Sequence, residues 1–126
     1  MADAITTTLD ALTPDGWRTA QFIGADHGAG SSFYVSRSAP GTGPDLHRHP
    51  YSETFVIIEG RVRFTAGDDV LDAGPGDVVV VPPDTDHGFT NVGDGPMLSV
   101  NIHAAARMEQ IDVPSRRLDD GSYERT

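Results

Sequence analysis

The stretch GTGPDLHRHPYSETFVIIEG, residues 41–60, decides the fold. His47 and His49 are two residues apart, so their side chains point to the same face of an extended strand. With Glu53 they offer two imidazoles and a carboxylate, a set of N and O ligands that suits a divalent metal. The β-branched and aromatic run at 54–58 is typical of a buried strand. The stretch therefore predicts a metal site mounted on a core strand.

A second group of residues follows in GDVVVVPPDTDHGFTN, residues 76–91. The two stretches together resemble the two motifs of the cupin superfamily, with the matching positions at Gly41, His47, His49, Glu53, Gly60, Gly76, Pro82, His87 and Asn91. One position departs from the family pattern, since Asp84 stands where the family usually has glycine. If that position has a left-handed backbone, Asp is among the better substitutes. The departure bears on a turn and leaves the proposed ligands in place.

The resemblance implies a mononuclear metal site. Its ligands would be His47, His49, Glu53 and His87, the last from a distant strand that closes the site. The cofactor is then one divalent ion per chain, and Fe, Mn, Ni, Cu or Zn would all accept three imidazoles and one carboxylate. In an octahedral arrangement two positions stay open for water, dioxygen or a substrate oxygen.

Short strand-like runs separated by Gly, Pro and Asp turns, without helical periodicity, predict an all-β sandwich or barrel. The resemblance sharpens this to a double-stranded β-helix, or jelly-roll cupin barrel, over about residues 30–105. We predict a single domain, 1–126, with an N-terminal arm at 1–16 and a polar C-terminal tail at 107–126.

Three local predictions concern individual strands. The run 78–81 is expected to be a strand buried on both faces or nearly so. Glu59-Gly60 is expected to form a hairpin corner between two strands. The run 97–103 is expected to be the last long strand, with its aliphatic side chains on the core and Asn101 and His103 facing solvent or a partner subunit. The alternative places His103 beside the metal ligands or makes it a general acid or base.

The candidate pocket follows from strand parity. Phe55 and Ile57 share a face with Glu53, and Phe89 shares a face with His87, so these apolar side chains would line a cavity at the site. Asn101 is a further candidate for the pocket. Two residues are candidates for direct chemistry, Tyr51 because it lies beside the ligands and His103 because it is a potential acid or base.

Charge and composition limit the classes of partner and of site that the chain can have. The net charge is −10 and the pI about 4.6, which disfavours nucleic acid and anionic membrane surfaces as partners. There are no cysteines, so disulfides, thiolate metal sites and cysteine nucleophiles are excluded. The first 16 residues lack the basic and apolar regions of a secretory signal, and a cytoplasmic location is the expectation.

The function expected from the resemblance is that of a metalloenzyme acting on a small organic molecule. Dioxygenase-type, and hence oxidoreductase, chemistry comes first, with isomerase and lyase chemistry as further family activities. The alternative is a non-catalytic cupin that binds or senses a small ligand. Hydrolase chemistry has little support, because the chain has neither a GxSxG nor an HExxH sequence. A homodimer formed through the N-terminal strands is the expected assembly.

Overall fold

Short strands make up almost all regular structure in the computed structural model, which describes residues 3–126. Met1 and Ala2, the first residues of the predicted arm, lie outside the described residues. A 3₁₀ turn at Gly24–His27 interrupts an otherwise all-β chain. The strands are β1 (Ala20–Phe22), β2 (Ser32–Ser38), β3 (His47–Arg48), β4 (Glu53–Glu59), β5 (Val62–Ala66), β6 (Asp69–Ala73), β7 (Val78–Val81), β8 (His87–Asn91), β9 (Met97–His103), β10 (Ile111–Asp112), β11 (Ser115–Arg117) and β12 (Tyr123–Arg125).

Two antiparallel five-stranded sheets form the barrel. The first sheet has the order β1-β2-β9-β4-β7 and the second has the order β10-β3-β8-β5-β6, while β11 and β12 pair with each other. Strands that follow one another in sequence thus alternate between the sheets over much of the chain, as β3 to β5 and β7 to β9 do. This architecture confirms the predicted all-β double-stranded β-helix.

The core lies between the sheets and follows the period-2 alternation of the strands. On β4, Glu53, Phe55 and Ile57 are buried, whereas the residues between them face outward. The apolar residues of both sheets meet in one cluster, formed by Phe55, Ile57, Val62, Phe64, Ala73, Val79, Val81, Phe89 and Met97. Aromatic rings lie at its centre, where Phe55 and Phe64 pack edge to face with centroids 4.9 Å apart.

The strand β7 is half-buried, and the prediction that both its faces are buried is wrong. Val79 and Val81 face the core, but Val78 and Val80 are 59% and 62% exposed. The reason is that only the inner face of the first sheet has a second sheet to pack on, so the outward side chains of β7 remain exposed. A run of four valines conceals this alternation, since both faces have the same side chain.

The faces of β9 are the reverse of the predicted ones. Ser99, Asn101 and His103 point into the barrel and are buried, whereas the aliphatic residues between them point outward and Ile102 is 37% exposed. The strand pairs with both β2 and β4, so it lies in the middle of its sheet. Its inward polar side chains line the barrel interior at the end that also holds Glu53.

Two turns depart from simple hairpin geometry. The corner at Gly60 does not join a hairpin, because β4 and β5 belong to different sheets. Gly60 has a φ of 92°, and a Cβ there would lie 2.8 Å from Cα of Met97, so the crossing requires glycine. Asp84 has a φ of 57° and is the only non-glycine residue of the described chain with positive φ. The predicted left-handed position is thus present.

The C-terminal region packs against the outer face of the second sheet, where the Tyr123 N–H donates to Thr65 Oγ1 (3.0 Å). The strand β10 pairs with β3, and the β11–β12 hairpin is fixed by Arg117, whose guanidinium donates to the carbonyl oxygens of Gly41 (2.9 Å) and Gly43 (2.8 Å). The Tyr123 ring is buried, and its hydroxyl donates to the carbonyl of Phe89 (3.2 Å). No helix in residues 3–126 has the length and apolarity needed to cross a membrane.

Candidate metal centre

Four buried side chains converge at one end of the barrel. His47 lies on β3 directly opposite His87, the first residue of β8. His49 follows β3, and Glu53 begins β4, so the two sheets contribute to the same point. One potential ligand atom from each of these residues lies within 4.8 Å of the others, and all four side chains are buried. The cluster fits a metal site.

Backbone carbonyls fix the tautomer of three histidines. The Nδ1–H groups of His47, His49 and His87 donate to the carbonyl oxygens of Asp45 (2.7 Å), Glu109 (2.6 Å) and Thr85 (2.8 Å). A carbonyl can only accept, so the proton of each neutral ring is on Nδ1 and the Nε2 lone pair is free. Metal-bound histidines are oriented in this way by a partner of the other ring nitrogen. The donor set therefore fits a divalent ion.

Glu53 is at the centre of the cluster. Its Oε1 atom lies 3.1 Å from His49 Nε2 and 2.9 Å from His87 Nε2. Atoms that each bind one ion at about 2.1 Å and at right angles stand about 3 Å from one another, which is the spacing seen here. Burial raises the pKa of Glu53, but the imidazoles of His103, His49 and His87 outweigh it and hold that pKa well below its usual range. The carboxylate is therefore ionised.

The pKa values of His47 and His49, two of the candidate ligands, are shifted in opposite directions. Burial lowers the pKa of His47 to about 4, with the neighbouring imidazoles of His87 and His49 adding to the effect. For His49 burial acts in the same direction, but hydrogen bonds to Glu53 and to the Glu109 carbonyl outweigh it and raise the pKa. His47 is therefore ready to bind a cation at neutral pH, whereas a metal at His49 competes with protons.

A fourth histidine, His103, completes the polar end of the barrel. Its Nε2 atom lies 3.0 Å from Glu53 Oε2, although the contact lacks hydrogen-bond geometry and Nε2 has no hydrogen-bond partner among the described residues. The Nδ1 atom lies 2.7 Å from the Tyr51 hydroxyl. The Tyr51 ring in turn stacks on His49, with centroids 5.1 Å apart. Both residues predicted for chemistry are thus at the site.

A cavity of about 310 Å³ opens next to His47, Glu53 and His103. Its walls include Trp17, Tyr34, Phe55, Phe89, Asn101 and Gln110. No Lys or Arg is among the described residues that line it. The cavity is at the small end of the range for small-molecule sites and combines aromatic walls with a few polar groups.

One wall of this cavity has a hydrogen-bonded polar row. Asn101 accepts a hydrogen bond from Ser99 Oγ (2.6 Å) and donates one to Ser36 Oγ (3.1 Å). Its amide is buried, and one of its two N–H bonds has no other partner among the described residues. The row fixes the amide orientation, so Asn101 presents a pre-set polar group to the cavity.

Three of the four predicted pocket residues line the cavity, and the fourth does not. Phe55, Phe89 and Asn101 line the cavity, whereas Ile57 lies deeper in the core and does not reach it. Trp17 and Tyr34 were not predicted. Tyr34 pairs with Asn101 across β2 and β9, so only knowledge of that pairing could have brought it to the site.

Comparison with known proteins identifies the family. A family model described as "Cupin domain" matches residues 34–103. Among curated proteins, the chain is 36% identical over 53 residues to an uncharacterized protein of Methanocaldococcus jannaschii, covering 41% of this chain and 42% of that protein. It is also 36% identical over 69 residues to polyketide synthase CurC of Streptomyces cyaneus, covering 53% and 45%. The match thus spans less than half the length of either relative.

Solved structures share the fold at low sequence identity. An uncharacterized double-stranded β-helix protein of Klebsiella pneumoniae has a TM-score of 0.68 at 21% identity, covering 86% of this chain and 96% of that one. Bacillus subtilis oxalate decarboxylase, whose Mn(II) centres have been studied, has a TM-score of 0.73 at 21% identity, covering 82% and 30%. These likenesses show the fold alone. Taken with the family match and the motif residues gathered at the site, they show that the chain belongs to the cupin family.

Proposed function

We propose that the protein is a metal-dependent enzyme that acts on a small, oxygen-bearing organic molecule, with dioxygenase-type chemistry as the first reaction to test. The observation that carries the proposal is the buried set of His47, His49, Glu53 and His87 beside a cavity of about 310 Å³. A purely structural ion usually has a closed shell of ligands and no adjoining cavity. When bound, the ion would supply Lewis-acid activation of substrate oxygens and, if it is redox-active, oxygen chemistry.

The residues around the cavity indicate the kind of substrate. No described lining residue is a Lys or Arg, so a dianion would find no cationic side chain there, and a neutral or singly charged molecule suits the walls better. Phe55, Phe89 and Trp17 offer aromatic surface, while Asn101 offers a fixed amide. A molecule with a planar apolar body and oxygen donors at one end would use both features.

The relatives point in the same direction. One curated relative is named a polyketide synthase, and polyketides are carbon skeletons bearing several oxygen atoms. We extend this to a substrate class, a small polyketide-like or phenolic compound, with isomerase or lyase chemistry as further candidates. The proposed cofactor is one divalent ion per chain, among Fe, Mn, Ni, Cu and Zn, all of which accept N and O ligands. Mn(II) deserves early testing because Mn(II) centres occur in the structurally similar oxalate decarboxylase.

The experiment is metal analysis of tag-free protein followed by oxygen-uptake assays. The chelator-treated protein is reloaded with each of the five ions and offered diketones, flavonols and catechols. We expect metal-dependent consumption of oxygen or of the organic compound. This consumption should be lost in Glu53→Ala. Tight binding of one of these compounds without turnover under any ion would instead support a ligand-binding or sensory cupin, which is the alternative function.

We further propose that the protein is a homodimer and is located in the cytoplasm. Support for the dimer comes from the outer face of the first sheet. There Val35, Val100, Val56 and Val78 form a row across four strands, and Phe33, Ile102, Thr54 and Val80 form a second row. Neither row contains a charged residue, although the chain has a net charge of −10. A second copy offers the same uncharged face and would bury it symmetrically.

A further inference from the structure

The four histidines at the site differ in the group that lies next to their Nδ1 atom. Three of them donate Nδ1–H to a backbone carbonyl, whereas His103 has the Tyr51 hydroxyl next to its Nδ1, at 2.7 Å. A carbonyl can only accept a hydrogen bond, but a hydroxyl can also donate one. The position of the proton on His103 therefore depends on where the Tyr51 hydroxyl proton goes.

The contacts of Tyr51 indicate which atom accepts its hydroxyl proton. Its oxygen accepts a hydrogen bond from the Glu109 N–H at 3.2 Å, which leaves the hydroxyl proton for one of two acceptors. The Glu109 carbonyl oxygen is 3.4 Å away, longer than an ordinary O–H···O bond, whereas His103 Nδ1 is 2.7 Å away. Donation to Nδ1 is the better bond, and it places the proton of a neutral His103 on Nε2.

That N–H has no partner of its own. Nε2 of His103 is buried and makes no hydrogen bond of good geometry within residues 3–126. Buried polar groups are nearly always hydrogen-bonded, so an exception points to a missing partner. His103 lines the 310 Å³ cavity together with Glu53, and it also lines a second cavity of about 340 Å³ that is bounded by Gln21, Ile23 and Met108. Because Nε2 lies next to Glu53, a ligand in the first cavity would supply the acceptor.

We propose that His103 is a hydrogen-bond donor to the bound ligand, presenting Nε2–H to a ligand oxygen beside Glu53, and that it is not a metal ligand. Tyr51 is the positioning residue that sets this tautomer. The identity of the ligand rests on the proposed function, but the tautomer and the division of roles among the histidines do not.

The first test is ¹⁵N NMR of the imidazole groups in the chelator-treated full-length protein at neutral pH. Neutral His47 and His87 are expected as Nδ1–H tautomers and His103 as the Nε2–H tautomer. In Tyr51→Phe, which lacks the donor, His103 is expected to lose this preference. Finding His103 in the Nδ1–H form in the unaltered protein would overturn the proposal.

The second test separates metal binding from ligand binding. The Co(II)-loaded protein is titrated with acetohydroxamic acid, an oxygen-donor chelator, and followed by visible absorption. His103→Ala is expected to retain Co(II) and to bind the probe at least about tenfold more weakly, the effect of one lost hydrogen bond. His103→Gln, which keeps a side-chain N–H, is expected to recover part of the affinity and also tests the role if the alanine variant does not fold.

Matched variants make the second result decisive. His87→Ala is expected to lose Co(II), and His27→Ala, which removes the one histidine outside the site, is expected to retain both Co(II) and probe affinity. If His103→Ala lost Co(II) as His87→Ala does, or bound the probe as the unaltered protein does, the assigned role would be wrong. Failure to find any turned-over substrate would count against the proposed function and leave these two readouts unchanged.

Discussion

The two ends of the barrel interior are formed by the same strands but hold opposite kinds of side chain. Along β9 the inward residues change from Met97 through Ser99 and Asn101 to His103, and along β4 they change from Ile57 to Glu53 in the same spatial direction. One end is a packed apolar core, and the other is a buried polar site. The packed core and the candidate metal site are thus separated along each strand rather than between strands or domains.

The apolar end should determine most of the stability. Phe64 is fully buried and packs against Phe55 and Phe89. Phe64→Ala is expected to lower the free energy of unfolding by about 3–5 kcal/mol, through lost burial and the cavity left behind. Chemical denaturation of the chelator-treated protein measures this.

A matched exposed residue tests the contrast within the same pair of strands. Val70 of β6 lies beside β5 and is 54% exposed, and Val70→Ala is expected to change the free energy of unfolding by no more than about 0.5 kcal/mol. Equal effects of the Phe64 and Val70 replacements would show that the apolar end is not the stabilising part.

The contribution of the polar end to stability should depend on pH, and the direction of that dependence differs among its ionisable groups. The lowered pKa values of His47 (about 4) and Glu53 mean that the unfolded chain binds more protons than the folded one in acid. Their contributions to stability are present at neutral pH; that of His47 is lost as pH falls from about 6.5 to 4, and that of Glu53 is lost below about pH 4.5. The raised pKa of His49 acts oppositely, and its contribution is lost as pH rises through that value.

The affinity for metal should also depend on pH, because protonation of the same histidines competes with metal binding. Because His49 takes up a proton above its ordinary pKa in the metal-free protein, metal affinity is expected to begin falling before pH 6.5 is reached. Each further histidine that must be deprotonated steepens the loss, by about tenfold per pH unit. Dialysis against a chelator at stepped pH measures this, and full retention of metal near pH 4.5 would rule out histidine ligation.

The outer face of the first sheet allows a smaller test of assembly. Val80→Asp is expected to weaken a dimer at least about tenfold, because two carboxylates would be buried close together across a symmetric contact. Sedimentation at several concentrations measures the dissociation constant, with Val70→Asp on the other sheet as the control. A chain that is monomeric at micromolar concentration before any substitution would remove the dimer proposal.

The sequence was sufficient for the fold and for the candidate ligands because both depend on local spacing. His47, His49 and Glu53 are close in sequence, and the second motif brought in His87 without knowledge of strand order. The left-handed backbone at Asp84 was likewise a local property. These predictions required only the periods and turns of short segments.

Other features depended on strand order, which local patterns do not contain. Which face of β9 is inward follows from the position of the strand beside Glu53. A rule that places aliphatic residues inside gives the wrong face when the interior holds buried polar side chains. The depth of Ile57 and the presence of Tyr34 in the cavity wall also follow from pairing. The contact between Arg117 and the loop at 41–43 joins residues more than 70 positions apart.

The proposal on which the others depend is that the polar end of the barrel holds one divalent ion through three imidazoles and one carboxylate. Its most direct test is the metal stoichiometry of the reloaded protein after gel filtration, measured by elemental analysis for the unaltered chain, His87→Ala and His27→Ala. We expect one ion per chain in the unaltered protein and in His27→Ala, and none in His87→Ala, with the β-sheet circular dichroism retained. An equal metal content in all three proteins would contradict the proposal.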